Sequence, residues 1–283
     1  MILVTGATGT IGREVVRRIP ADLPVRIMAR DPGRVTGAGA AVEIVHGDFS
    51  DPGSLVGVLR GVRTVFLVTN PGGDDDAGFI RAARSAGVRH VVKLSAAAVD
   101  DSRAEDLITR WQRRNEELLR GSGMEWTLLR PRAFMSNALS WAGSIRSDDV
   151  VRALYGASSN ACVDPRDVAE VAVRALTEDG HAGRTHTLTG PEALAAVEQT
   201  AQLAELLCRP LRFEELSPER ARAGLGARYP ADIADALLES AERGREGAKA
   251  AVDDTVATLL GRPAGTFRGW ARDHLGAFGN GDR

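Results

Sequence analysis

A doubly wound α/β fold, a parallel sheet covered by helices on both faces, is predicted by three features of the sequence. Short β-branched runs alternate with longer amphipathic stretches through residues 1–131. The short runs are nearly continuous in apolar residues, the pattern of strands buried on both faces. A glycine-rich turn, "GATGTIG", follows the first run at once and opens the first amphipathic stretch.

The strands read, in order, "MILVT" (1–5), "VRIMAR" (25–30), "VEIVHG" (42–47), "TVFLVT" (64–69), "HVVKLSA" (90–96) and "WTLLRP" (126–131). Between them "IGREVVRRI", "GSLVGVLRG", "AGFIRAARSAG" and "LITRWQRRNEELLRGSG" space their apolar residues three and four apart, and several close on a helix-ending Gly. These are crossover helices, and the strands complete a Rossmann-like sheet. After Pro131 the alternation stops. The chain then gives "VVRALYG", a helix in "DPRDVAEVAVRAL", a strand "RTHTLTG", and mostly helix from Pro191 to Phe278. "ESAERGREGAKAAVDD" reads as exposed helix. The expected organisation is a dinucleotide-binding domain at 1–150 and a smaller, mainly helical substrate lobe at 151–283, part of whose chain is free to return to the sheet. The loosest segments are 31–40 and 279–283. "GGDDDAG" reads as a solvated loop and helix start, since three adjacent carboxylates cannot all face one ion from an ordinary helix start, and no metal site is predicted.

Composition narrows the function classes. The 283 residues carry 36 Lys plus Arg against 38 Asp plus Glu, a formal charge of −2, which gives no electrostatic reason to expect nucleic acid or an anionic membrane as partner. Cys162 and Cys208 lack the short spacing of a zinc or redox motif and read as small core residues in a reducing compartment. With no basic leader and no run of ~18 apolar residues, the expectation is a soluble, cytoplasmic protein with a small-molecule substrate. Oligomeric state is not encoded in any pattern visible here.

The glycine turn carries the strongest signal. Between a first strand and a first helix, such a turn lets the backbone approach a pyrophosphate, and the helix N-terminus supplies unpaired N–H donors and a favourable dipole. Gly6 makes the turn, Gly9 allows the approach and Gly12 lets helix and strand pack, with Thr8, Thr10 and Ile11 completing the cradle. The second strand ends in Arg30, where an acid would select NAD, so the order favours NADP; Arg34 is a second cation for a 2′-phosphate, while Asp31 keeps a ribose contact open. Asp48 is a candidate for the adenine amino group, with Phe49 as an apolar wall; the alternative for Asp48 is a turn cap. The carboxyl ends of later strands place Thr69, Asn70, Ser95 and Pro131 along the same ligand.

"TGATGTIG", "HGDFSDPGSL", "HVVKLSA" and "SGMEWTLLRPRAFMSN" resemble the short-chain dehydrogenase/reductase superfamily in its extended and atypical branches. "VDPRDVAEVAVRAL", "HTLTGPEALA" and "LLGRPAGTFRGWARDH" resemble the C-terminal half of NmrA-like proteins. The resemblance implies an NAD(P)-binding protein. Classical members carry Tyr-x-x-x-Lys after the fifth strand, and here that motif falls roughly at Ile108 and Gln112, which cannot supply or tune a proton. Ser95 matches the superfamily's substrate-positioning Ser or Thr, and Lys93 points to the same side of the strand; an ion pair with an Asp is the alternative for Lys93. His90, His186 and His274 have no partner visible in sequence.

Hydride transfer to a ketone builds an alkoxide that needs an acid, whereas a cationic or conjugated acceptor delocalises or cancels the charge. NmrA-like relatives include quinone, triphenylmethane dye and imine reductases, and others that bind dinucleotide without turnover. The expectation is an NADPH-dependent reductase of a flat, conjugated or cationic acceptor, in a pocket lined by Phe134, Met135, Asn137, Trp141 and Tyr155. The competing readings are a dinucleotide-sensing regulator and a redox-silent isomerase or cyclase on the same scaffold.

Overall fold

The computed structural model describes residues 1–36, 42–71 and 75–279. Residues 37–40 of the segment expected to be loose, Asp74 of the acidic run and the tail 280–283 lie outside the described residues. The strands are β1 (Ile2–Val4), β2 (Val25–Ala29), β3 (Val42–His46), β4 (Thr64–Leu67), β5 (His90–Leu94), β6 (Glu125–Pro131), β7 (Val150–Ala153), β8 (Arg184–Leu188) and β9 (Arg212–Glu215). The helices are α1 (Thr10–Arg18), α2 (Pro52–Val58), α3 (Asp75–Ser85), α4 (Leu107–Arg120), α5 (Ala142–Asp148), α6 (Pro165–Thr177), α7 (Ala196–Leu207), α8 (Pro218–Gly226), α9 (Ala231–Arg245), α10 (Thr255–Leu260), α11 (Phe267–Asp273) and α12 (Leu275–Phe278). None of the described helices is long and apolar enough to cross a membrane.

The chain forms two compact units that it enters alternately. The first comprises Met1–Val99, Trp111–Pro131 and Pro165–Thr187; the second comprises Asp100–Arg110, Arg132–Asp164 and Leu188–Arg283. A single crossing at 150 does not describe this arrangement, because α6 and most of β8 belong with the sheet and the segment from Arg132 already belongs with the second unit.

Among the described residues, seven strands of the first unit are ordered β3-β2-β1-β4-β5-β6-β8. The pairings from β3 through β6 are parallel, with Ile2 opposite Val25 on one side and Thr64 on the other. Each strand of the centre is apolar along its length because both faces are covered. On one face Leu55 of α2, Phe79 and Ile80 of α3 and Leu119 of α4 pack with Leu3, Val65, Leu67, Val91 and Leu128 from the strands. α1 and α6 pack together, and α6 contacts β4, β5 and β6. At the end of β1, Thr5 Oγ1 donates to Phe66 O (3.1 Å) and accepts from Val68 N (2.8 Å), which pins the strand end beside β4 where the chain turns. The seventh strand, β8, extends the six expected at the β6 edge.

A buried polar layer lies at the carboxyl ends of β4 and β5. Lys93, fully buried, donates to Asp76 Oδ1 at 2.6 Å and Thr69 Oγ1 at 3.2 Å; Asp76 Oδ2 accepts from Thr69 Oγ1 (2.6 Å) and Asn115 Nδ2 (2.9 Å). Alongside it, Ser95 Oγ donates to Glu116 Oε1 (2.6 Å), which also accepts from Arg130 Nε (2.8 Å).

The second unit carries the parallel pair β7 and β9, with Val150 opposite Arg212, and a core around Ile145, Leu203, Phe267, Trp270 and Phe278. β9 lies in the region that the sequence pattern presents as mainly helical; at four residues, with charges at three of them, its strand pattern is too short to stand out. The histidines do have partners: His90 with Thr127 Oγ1 (2.9 Å), His186 with His181 (3.2 Å), and His274 with Trp270 O (2.7 Å).

Truncating one member of a buried ion pair leaves an uncompensated charge, so Lys93→Met is expected to cost about 3–5 kcal/mol in urea unfolding. The double change Lys93→Met with Asp76→Leu recovers most of that loss; a single variant as stable as the parent would deny the pair any structural role.

Candidate active site

The glycine turn is built around missing β-carbons. Gly6 has φ +65°, a left-handed conformation that side chains resist, and a β-carbon there would lie 3.0 Å from Val68 Cβ. A β-carbon on Gly12 would stand 2.3 Å from Gly6 O, inside the backbone of the turn itself. Gly9 N–H donates to Gly6 O at 2.9 Å, and Gly9 is the N-cap of α1 with no side chain capping it. The helix therefore opens with backbone donors that no side chain claims, the feature that binds phosphate. Ile11 is buried in the core and contributes only backbone to that end, whereas Thr8 and Thr10 are exposed.

Beside the turn lies a cavity of about 400 Å³ lined by Gly6, Thr8, Arg30, Arg34, Asp48, Phe49 and Asn70, together with Asp31 and Asp75. Among the described residues neither Arg30 nor Arg34 makes an ion pair, and both are exposed. Asp31 instead turns one carboxylate oxygen to its own loop, accepting from Gly33 N at 3.1 Å. Asp48 does both things the sequence left open: it lines the cavity and caps its turn, accepting from Ser50 N and Ser50 Oγ at 2.9 Å. Those hydrogen bonds, aided by Arg30 and His46, hold its pKa below the usual carboxylate value. Asp75 is pushed up by burial and by Asp76 and Asp48. Phe49 packs edge-on to Phe79 with centroids 5.4 Å apart. These residues fit a dinucleotide: the turn and α1 for the pyrophosphate, the arginines for a 2′-phosphate, and Phe49 against an adenine.

Thr69, Lys93, Ser95 and Pro131 are in the strand-end layer, outside this cavity lining. The Lys93 ammonium, expected beside the substrate, is fully buried between Asp76, Thr69 and, at 5.3 Å, the Trp111 ring. Ser95 is almost fully buried with its hydroxyl committed to Glu116. Gln112 has a buried side-chain oxygen without a hydrogen-bond partner, and Ile108 offers none. Among the described residues no group of three His, Cys, Asp or Glu side chains is placed to hold a metal ion.

In the second unit Phe134, Met135, Asn137, Trp141 and Tyr155 line one cavity of about 250 Å³, joined by Asn160, Cys162, Gln199 and Lys249. Tyr155 is held at φ +54° because Glu215 accepts from Tyr155 N (2.8 Å) and Gly156 N (2.9 Å). Its phenol is bonded to Glu242, which raises its pKa and makes it a poorer acid. Burial pushes the Cys162 thiol up to about 11, so at neutral pH it is a protonated wall, not a nucleophile. An adjoining cavity of about 740 Å³ shares Asn137, Ser140, Trp141, Ala153, Leu154 and Ala241 with the first and adds Leu216, Leu225, Leu237 and Leu238.

Sequence reasoning missed Asn160, Gln199 and Lys249. The sequence around Lys249 reads as exposed helix, but α9 ends at Arg245 and Lys249 is partly buried in the cavity. The available signal was compositional: Lys93 and Lys249 are the only lysines among 36 Lys and Arg residues.

Gly12→Ala is expected to destabilise by about 1–3 kcal/mol through overpacking and to weaken dinucleotide binding. Gly57→Ala, with nothing within 4 Å of the new β-carbon, is the control and raises stability by about 0.5–1 kcal/mol. Equal behaviour of the two variants in chemical denaturation would contradict the close contact at the turn.

A family model described as NAD(P)H-binding matches residues 6–179. The (4-alkanoyl-5-oxo-2,5-dihydrofuran-3-yl)methyl phosphate reductase of Streptomyces griseus subsp. griseus is 58% identical over 279 residues, covering 98% of this chain and 99% of that protein. The NAD(P)H azoreductase of Xenophilus azovorans is 38% identical over 286 residues, 99% of each chain. The NADPH complex of an NADPH-dependent quinone oxidoreductase from Escherichia coli matches with a TM-score of 0.84 at 26% identity, covering 97% of this chain and 99% of that one. As its glycine turn and NmrA-like motifs imply, the chain belongs to the NAD(P)H-binding family.

Proposed function

We propose that the chain is an NADPH-preferring reductase that delivers hydride to a conjugated carbonyl compound bearing an acyl chain. The observation that carries the cofactor reading is the uncapped N-terminus of α1 packed on a turn that tolerates no β-carbon, beside two arginines that form no ion pair among the described residues. The furanone, azo compound and quinone named for its relatives share one property: each is an electron-poor π system whose reduced anion is delocalised. Such an acceptor does not require the strongly acidic partner that an isolated alkoxide would, which suits a chain with Ile108 and Gln112 in place of a Tyr–Lys pair.

The acyl chain is inferred from the second unit. The cavity with Asn137, Asn160 and Lys249 continues into one walled by Leu154, Leu216, Leu225, Leu237 and Leu238, with Arg152, Arg220 and Arg228 also in its lining. A flat polar head fits the first and an aliphatic tail the second, in keeping with the alkanoyl substituent named for the Streptomyces relative. The free cysteines and small-molecule chemistry suit a reducing cytoplasm.

Replacing Arg30 with Ala should weaken NADPH by about 1.5–3 kcal/mol through loss of a charged hydrogen bond and leave NADH affinity unchanged, read by tryptophan quenching. Equal losses for both cofactors would remove Arg30 from the 2′-phosphate. With a series of 4-acyl butenolide phosphates, kcat/KM should rise roughly fourfold per added methylene, about 0.8 kcal/mol each, until the leucine-walled cavity is filled. A flat chain-length dependence would refute the acyl site, and no NADPH oxidation with butenolides, quinones or azo dyes would refute the reductase.

A further inference from the structure

We propose that Lys249 is the proton donor of this reduction, acting on the enolate that hydride addition leaves on the acceptor. The inference rests on the acceptor reading above and assigns the residue that replaces the missing Tyr–Lys pair.

Lys249 lines the cavity of the second unit, and among the described residues its ammonium makes no hydrogen bond or ion pair. Its stem runs along α9 at Gly244, where a β-carbon would come within 3.3 Å of Lys249 Cδ, and its backbone is fixed by the hydrogen bond from Ala161 N to Lys249 O (2.9 Å). The same cavity holds Asn160, whose side-chain oxygen is buried and has no partner. A cation and an acceptor oxygen, both without a partner among the described residues, thus line the cavity. Cavity polar groups left unpaired in a folded chain are the ones a ligand satisfies.

The charged groups around Lys249 leave it without a counter-ion. Asp106, ahead of α4, is committed to Arg243 of α9 at 2.5 Å and to Thr109 at 2.7 Å, and Arg132 faces Asp100, Asp101 and Asp253. Cys162 is a neutral thiol at working pH, and the Tyr155 phenol is engaged with Glu242. Burial first, then repulsion from Arg243 and Arg132, brings the amine down to about 8. An acid in that range is protonated at pH 7 and still gives up its proton readily. An arginine in its place would hold the charge but not release a proton.

The step balances simply. Hydride adds to the β-carbon of the conjugated carbonyl, the C=C π pair moves through the α-carbon onto the carbonyl oxygen, and an Nζ–H proton of Lys249 is delivered to the enolate. One NADPH and one proton are consumed, and the neutral amine regains its proton from water.

The test uses the full-length protein with NADPH and the butenolide phosphate series, comparing wild type, Lys249→Met and Lys249→Arg. Wild-type kcat should fall as pH rises through about 8, because the acid is lost, and both variants should lose about 100-fold in kcat and lack that limb, with NADPH affinity unchanged. Competitive acetylation read by mass spectrometry gives a signal independent of turnover: Lys249 should titrate near 8 and be shielded by bound acceptor, while Lys93 stays unreactive. Lys249→Arg retaining near-wild-type kcat would overturn proton donation and leave only a charge effect, with the reductase reading intact. A Lys249 amine that titrates as a free lysine and is not shielded by acceptor would also overturn it. No turnover by wild type with any acceptor would overturn the reductase reading, and this inference with it.

Discussion

The buried pair of Lys93 and Asp76 is the constraint on which the first unit is organised. Removing two charges from water is costly, and the cost is offset because both oxygens of the carboxylate accept hydrogen bonds, from Lys93, Thr69 and Asn115. Those residues come from the end of β4, from α3, from β5 and from α4, so one satisfied ion pair fixes four pieces of chain at once. The Ser95–Glu116–Arg130 bonds extend the same layer to β6. Strand ends held in this way form a hydrogen-bonded floor at the carboxyl edge of the sheet.

That floor explains which parts of the site were legible in sequence. The period of the apolar runs and the three glycines gave the sheet and the turn, because both follow from local geometry: no other residue fits where Gly12 meets Gly6 O. Ser95 and Lys93 were visible as polar residues at a strand end, but their partners lie 21 and 17 residues away in the chain, and sequence alone does not show that carboxylates wait there. β9 escaped because four residues carry too little periodicity. Lys249 escaped because charge-rich sequence is usually solvated, and only the fold brings residues 134–162 and 249 around one cavity.

The two lysines illustrate how one residue type is put to opposite uses. Lys93 is paired with Asp76 and Thr69 within the layer, whereas Lys249 faces cations and a neutral thiol. Burial lowers the pKa of both, but only the second lacks a bonded carboxylate to oppose that effect. The environment, rather than the side chain, separates a structural ammonium from a titrating one.

The interleaving of the chain has a further consequence for how such a protein can diversify. Because Pro165–Thr187 rejoins the first unit after a long excursion, the sheet is finished only when its last strand has been synthesised, and neither unit is an uninterrupted stretch that could be excised or exchanged. Recombination of whole lobes between relatives would sever α6 and β8 from the strands they cover and extend. Changes of acceptor are therefore channelled into substitutions and short insertions within the cavity walls, a route that leaves the dinucleotide half untouched.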